Sequence, residues 1–246
     1  MNRFYHSDDI KINELIQLNE LSSNHISRVL RMKEGDDLII FNGDENDYIA
    51  SIISLERKKV FVKIREILKN QSQSSIDITL VQAITSREKL DFILQKTTEL
   101  GVNKIQLMQS ERCNFKIAKH KEDSRISHWE NVVIAACEQS GRTSLPAIFN
   151  PVNFQEVLSL YKNKGNKIIL DPYSNINLKQ LTIKKNIDFH EFIILIGPEG
   201  GFTPEEICIA KKHDFQPISL GKRILRTETA SIAILSALHA LHGDFV

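Results

Sequence analysis

Side chains able to do acid–base or anion-stabilising chemistry gather in two short stretches near the carboxyl end of this 246-residue chain. Ile196–Gly201 reads IGPEGG and carries Glu199; Ser219–Ile232 reads SLGKRILRTETASI and carries Arg223, Arg226, Thr227, Glu228 and Thr229. A carboxylate in such a turn could take a proton, and a guanidinium beside it could stabilise an anion. Each stretch runs from an apolar strand through a glycine break into a helix, which is how α/β folds build ligand sites at the carboxyl ends of strands. Polar residues packed between a buried strand and a buried helix are costly unless they bond to each other, to the backbone or to a ligand. The two turns therefore predict one pocket. Plainer roles stay open beside it: Thr227 or Thr229 could merely cap the next helix with Glu228 at its positive end, and IGPEGG could be a tight turn with no ligand. The capping role leaves Arg223 and Arg226 unexplained.

The first turn leads into Thr203-Pro204-Glu205-Glu206, a capping box with proline at the first helical position, so a helix starts there. Its glycines allow close backbone approach to a ligand and expose N–H groups at a helix start. The pattern is neither GxGxxG nor a Walker loop, since no Lys-Ser/Thr follows the glycines, and it does not support a phosphate cradle. In the second stretch, Ile218–Leu220 reads as a short strand broken by Gly221, and Ala230–Leu241 as a helix apolar nearly all round.

Positioning these turns requires a parallel sheet. From Ile76 onward strands and helices alternate: strands at Ile76–Ala83, Lys104–Met108, Lys167–Leu170 and Phe192–Ile196, helices at Arg87–Leu100, about Ile126–Ser140 and Phe154–Tyr161. Upstream the pattern is β-rich, with strands at Asp37–Phe41, Tyr48–Leu55 and Val60–Ile67. A short helix capped by Ser22 or Ser23 places Ile26, Val29 and Leu30 on its apolar stripe. The first two of those strands join through Asn42-Gly43-Asp44. Several short strands with one helix suggest a small barrel. The polar Lys69–Ser75 marks the boundary, giving domains 1–70 and 76–246.

Composition bounds the function. The net charge is +1, so any nucleic-acid surface must be local; the segment Glu111–Arg125, with Arg112, Lys116, Lys119, His120, Lys121 and Arg125, is such a place. Cys113, Cys137 and Cys208 are scattered without a CxxC pair, which argues against disulfides and zinc and for buried, reduced thiols. His239 and His242 share a helix face but lack a carboxylate or thiol motif, so no metal is expected. Neither a signal peptide nor a membrane anchor is readable, which makes a cytoplasmic protein the expectation.

Seven segments in series carry a resemblance: MNRFYH, HISRVLRMKEGD, TELGVNKI, SERCNFK, EQSGRTSLP, IGPEGGFTPEEI and LGKRILRTETASIAIL. Together they resemble the RsmE family, ribosomal RNA small subunit methyltransferase E, over nearly the whole chain. The resemblance implies an α/β protein with an N-terminal PUA-like β-barrel and a SPOUT-type domain whose C-terminal chain forms a trefoil knot, a topology that patterning cannot suggest. It implies methylation of N3 of one uridine in 16S ribosomal RNA of the small ribosomal subunit, with S-adenosylmethionine as cofactor, and a homodimer. By position, cofactor binding falls to Leu170, Ile196, Gly197, Pro198, Glu199, Gly200, Gly201, Ser219, Leu220, Gly221, Ile224, Leu225, Arg226 and Thr229, with Leu170–Asp171 closing the pocket.

Uridine N3 must lose a proton, so Glu199 and Glu228 become candidate bases, and Arg226 and Arg223 candidate stabilisers of the uridine anion. The Watson–Crick edge must be free, which requires an unpaired or flipped base. Arg3, His25, Arg28, Arg31, Arg112, Lys116, Lys119 and Arg142 are the candidate RNA contacts, against the alternative of a solvated surface for any one of them. Where many family members have proline after the glycine of the second turn, this chain has Lys222. Two other functions stay open: a SPOUT-like methyltransferase acting elsewhere on RNA, and a non-catalytic RNA-binding protein.

Overall fold

The computed structural model describes residues 1–56, 59–115, 122–183 and 190–245, with only the backbone at 122 and 123. It divides into two compact units, Met1–Gln73 with Ile134–Leu145, and Ser74–Val133 with Pro146–Val246.

The first unit is built on a five-stranded mixed sheet. Its strands are β1 (Arg3–Tyr5), β2 (Leu15–Gln17), β3 (Asp37–Phe41), β4 (Asn46–Glu56) and β5 (Lys59–Lys69), in the order β1-β3-β4-β5-β2. Alternation in β3, β4 and β5 turns Leu38, Ile40, Ala50, Ile52, Val62 and Ile64 into one core. β1 and β2 have three residues each, too few for a period to be read from the sequence. The short helix differs from expectation. Asn19, not Ser22 or Ser23, caps α1 (Glu20–Asn24), which continues as a π-helical stretch, His25–Leu30. Ser23 is buried and donates to the Leu18 carbonyl instead. The wider π turn shifts the side chains, so Ile26 is buried while Val29 and Leu30 face solvent.

The second unit is a six-stranded sheet, parallel throughout. Its strands are β6 (Asp77–Ala83), β7 (Lys104–Gln109), β8 (Ala147–Asn153), β9 (Asn166–Leu170), β10 (Glu191–Ile196) and β11 (Gln216–Ile218), in the order β11-β9-β10-β6-β7-β8. The helices are α2 (Arg87–Glu99), α3 (Glu122–Ser140, whose residues from Ile134 on belong to the first unit), α4 (Phe154–Leu160), α5 (Pro204–Lys212) and α6 (Thr227–His242). Residues of α2 and α6, with Trp129, pack on one face; Phe154, Val157 and Leu158 of α4 and Ala210 of α5 pack on the other. The central β6 and β10 are buried on both faces, which is why they read as continuous apolar runs. β8 was not foreseen; Pro151 interrupts it, and proline is tolerated there because β8 is an edge strand. The strand predicted at Ile218–Leu220 ends at Ile218, with Ser219 making only an isolated bridge to Asn177. Cys113 and Cys137 are buried as expected, whereas Cys208 is exposed on α5. Among the described residues no helix is long and apolar enough to cross a membrane, and no group of three metal-ligating side chains occurs.

Candidate active site

The IGPEGG turn leaves β10 at the carboxyl edge of the sheet and is tied down from outside at Gly197, Glu199 and Gly200. A Cβ on Gly197 would lie 3.3 Å from the backbone of Gly201, and one on Gly200 would lie 3.3 Å from Cβ of Arg112. Arg112 reaches over the turn and donates to the Gly200 carbonyl at 3.0 Å and to the Phe202 carbonyl at 3.4 Å. The capping box is present as predicted: the Glu206 amide donates to Thr203 Oγ1, and the Thr203 amide donates to Glu206. Glu206 also accepts from the amide of Glu111 at 3.0 Å. Glu199 accepts a hydrogen bond from Thr85 Oγ1 and one from Lys89 Nζ, the latter at 2.9 Å. Burial alone would raise the Glu199 pKa, but the bonds from Thr85 and Lys89 and the Lys89 charge outweigh it and hold the carboxyl below its ordinary value.

The second turn is held mainly at its two ends. Ser219 Oγ caps its start by accepting from the Gly221 amide, and Gly221 sits at φ +109°, a conformation only glycine adopts freely. Lys222, Arg223 and Ile224 are exposed. At the far end α6 begins with Arg226 as N-cap, without a side-chain cap. Thr227, a candidate cap in the sequence, is used otherwise: its hydroxyl donates to the Gly197 carbonyl at 2.8 Å and accepts from Gln82 Nε2 at 3.0 Å. The other end of the Gln82 amide accepts from Ser231 Oγ at 2.7 Å. Gln82 and Ser231 are fully buried. This neutral network locks the start of α6 to the first turn across the end of β6. A glutamine inside the buried strand ITLVQA was the signal for it, because a polar group there needs partners.

Between the two turns lies a cavity of ≈ 550 Å³. Ile196, Ile218, Leu220 and Leu225 line it with apolar surface, and Gly197, Pro198, Glu199, Gly200 and Gly201 bring backbone to it. Leu170, Asp171, Pro172 and Tyr173 enter from the end of β9, and Lys89, Arg112, Arg223 and Arg226 contribute charge. A mostly apolar cleft of this size with a few placed polar groups suits a cofactor-sized ligand.

Residues 72–239 match the RNA methyltransferase domain model and residues 19–65 the RNA methyltransferase PUA domain model. Ribosomal RNA small subunit methyltransferase E of Buchnera aphidicola is 37% identical over 244 residues, covering 99% of this chain and 94% of that protein. Its counterpart in Rickettsia conorii is 32% identical over 249 residues, covering 98% of this chain and 96% of that one. The chain belongs to the ribosomal RNA small subunit methyltransferase E family. Among solved structures, a putative methyltransferase from Legionella pneumophila in complex with bound SAM superposes with a TM-score of 0.93 at 37% identity, covering 99% of this chain and 98% of that one. The Neisseria gonorrhoeae family member bound to S-adenosyl methionine gives a TM-score of 0.91 at 33% identity, with full coverage of both chains.

For a member of this family, the placement of the expected residues is informative. Leu170, Ile196–Gly201, Leu220, Ile224, Leu225, Arg223 and Arg226 line the cavity, whereas Ser219, Gly221, Glu228 and Thr229 do not. Glu228 is half-buried, with Oε2 lacking a hydrogen-bond partner among the described residues. Of the expected RNA contacts, His25, Arg28, Arg31 and Arg112 are exposed, and Lys116 and Lys119 lie outside the described residues. Arg142 is buried and Arg3 half-buried, rather than presented to solvent as an RNA contact would be. The Arg3 guanidinium pairs with Asp47 at 2.8 Å, lies over the Phe41 ring and donates to the Arg142 carbonyl. The Arg3 charge is thus paired within the first unit. Lys89, Thr85, Gln82 and Tyr173 were not singled out, because each becomes meaningful only next to a partner distant in sequence.

Proposed function

We propose that this chain transfers a methyl group from S-adenosylmethionine to N3 of a uridine in 16S ribosomal RNA of the small ribosomal subunit. The observation that carries this reading is the cavity between the two glycine turns, apolar within and flanked by Arg223 and Arg226, in a chain whose family members include a cofactor-bound structure. The cofactor, when bound, supplies a methyl on a sulfonium that needs little activation. The chain's task is then position: Gly197 and Gly200 let backbone approach closely, and the apolar side chains keep water out. The N3 proton must leave, and we assign stabilisation of the uracil anion to Arg226, with Arg223 as a second cation of the same cavity lining. Glu199, with one oxygen committed to Thr85 and Lys89 and its charged form already stabilised, is a poor proton acceptor and acts to brace its turn. Glu228 would need access that its position outside the cavity lining does not give.

The exposed His25, Arg28 and Arg31 support the PUA-like domain, residues 1–70, as an RNA-holding surface, and residues 76–246 as the catalytic domain. The trefoil knot belongs to this reading too, supported by β11 pairing with β9 on the side away from β10. So does a homodimer, supported by the part-exposed Ile232, Ala233 and Ala237 and the exposed Leu241 on α6. The enzyme would work in the cytoplasm, where the ribosome is.

Single-turnover methylation of unmethylated 16S ribosomal RNA at saturating cofactor tests the chemistry. Arg226→Ala is expected to slow the step by tenfold or more and Glu228→Gln to leave it within threefold, as orders of magnitude for losing one electrostatic stabiliser or none. An unchanged Arg226→Ala rate removes that arginine from the chemistry, and absence of N3-methyluridine in the product RNA removes the assigned reaction.

A further inference from the structure

Two side chains that line the cavity are large, apolar in body and turned to water: Tyr173 is 81% exposed and Ile224 73% exposed. They stand on different loops, Tyr173 just beyond β9 and Ile224 in the second turn. Ile196 and Ile218, which line the same cavity, are 2% and 0% exposed. Depth therefore separates the lining into an interior that a small ligand can fill and a mouth that something larger must meet. A methyl acceptor arrives from outside, so the mouth faces the acceptor.

The loop that carries Tyr173 is firmly held. Its amide donates to Asp171 Oδ1 at 3.0 Å, the Ser174 amide to the Asp171 carbonyl at 3.1 Å, and Ser174 Oγ to the Pro217 carbonyl at 2.8 Å. The Asp171 amide in turn donates to the Ile218 carbonyl at 3.0 Å. A fixed backbone thus holds an aromatic ring out in water at the edge of a cavity. Arg223 and Arg226, which bracket the Ile224 position, line the same cavity. Aromatic faces interleaved with cations are the chemistry that receives single-stranded nucleic acid, because every base offers a π-face and every nucleotide a phosphate.

We propose that Tyr173 is a stacking platform for a base of the RNA substrate, with Ile224 making apolar contact from the opposing loop. This rests on the methyltransferase assignment above. Wild-type protein is first titrated with S-adenosylhomocysteine and assayed on small ribosomal subunits lacking the modification; failure there sinks the assignment itself, before any variant is compared. With wild type active, Tyr173→Ala is expected to lower kcat/KM for the RNA by roughly five- to a hundred-fold, the loss given by one base–aromatic stack, mainly through KM. Tyr173→Phe should stay within about twofold, since it keeps the ring. S-adenosylhomocysteine affinity should stay within about twofold in both. A Tyr173→Trp variant should lose fluorescence when RNA is added. An unchanged kcat/KM in Tyr173→Ala, a parallel fall in S-adenosylhomocysteine affinity, or no fluorescence change at saturating RNA would each overturn the proposal.

Discussion

The two turns that form the cavity do the same topological job with opposite physical means. The first, 196–201, is held by side chains reaching in from elsewhere in its unit: Thr227 on Gly197, Lys89 and Thr85 on Glu199, Arg112 on Gly200. The second, 219–226, is set by local geometry at Ser219 and Gly221 and then leaves Lys222, Arg223 and Ile224 in water. One wall is pre-organised and the other presents unspent charge and apolar surface. A site that must hold a small ligand in a fixed pose and also receive a large one from solvent uses both kinds of wall, since pre-organisation favours tight binding and exposed groups favour encounter.

Cutting the network behind the first turn should have the largest effect. Gln82→Leu keeps the volume but removes one partner each from the Ser231 and Thr227 hydroxyls, which keep their bonds to the Thr227 and Gly197 carbonyls, and is expected to cost about 1–3 kcal/mol of stability, seen in urea unfolding. The same variant should weaken S-adenosylhomocysteine binding by about tenfold, since Gln82 orients the Thr227 hydroxyl that in turn holds the Gly197 carbonyl. Binding that is unchanged in folded Gln82→Leu protein would break the claim that the first wall is pre-organised by this network. Glycine substitutions come next. Gly197→Ala pushes a methyl against the Gly201 backbone at 3.3 Å, whereas Gly221→Ala meets nothing within 4 Å but must hold φ +109°. Each should cost about 1–2 kcal/mol, the first by crowding and the second by strain. Only the first should carry a proportionate loss of cofactor-product affinity by calorimetry.

A pH experiment sharpens the role of Lys89. Glu199 has its pKa depressed in the fold, so its contribution to stability is present above the unfolded carboxyl value and is lost as pH falls through the folded one. Lys89→Ala removes the charge and one hydrogen bond, and the acid limb of the thermal-unfolding profile should move to higher pH. An unmoved limb would show that Thr85 alone sets the carboxylate. The smallest effect belongs to the second wall: Ile224→Ala should change stability by less than about 0.5 kcal/mol, because the side chain is mostly in water already. A larger loss in thermal unfolding would mean that this turn, too, is held from within.

Much of the catalytic unit was legible because parallel strands buried on both faces announce themselves as apolar runs, as in Phe192–Ile196, and because Thr203-Pro204-Glu205-Glu206 spells a helix start in four residues. The misses have physical causes. α1 was assigned its cap from residue type alone, and Asn19, three residues before Ser22, won because its side chain reaches the Ser22 amide at 2.8 Å. Arg3 and Arg142 were expected on an exposed RNA-facing surface, but Arg142 is buried and Arg3 half-buried; Asp47 supplies the counter-charge for Arg3, which cannot be read from positions 44 residues apart. Lys89 looked like a solvated helix residue until Glu199, 110 positions later, came beside it.

By itself the sequence determined the order of the longer strands and helices, the glycine turns and the identity of the charged groups in them, since these follow from local sterics, capping and periodicity. Only the tertiary structure decided which of those groups share a cavity. It moved Glu228 and Thr229 outside the lining, brought Lys89 and Tyr173 into it, and assigned Gln82 to join the two turns. Such pairings depend on the sheet order β11-β9-β10-β6, which sets distant segments side by side at one edge and which no local preference encodes.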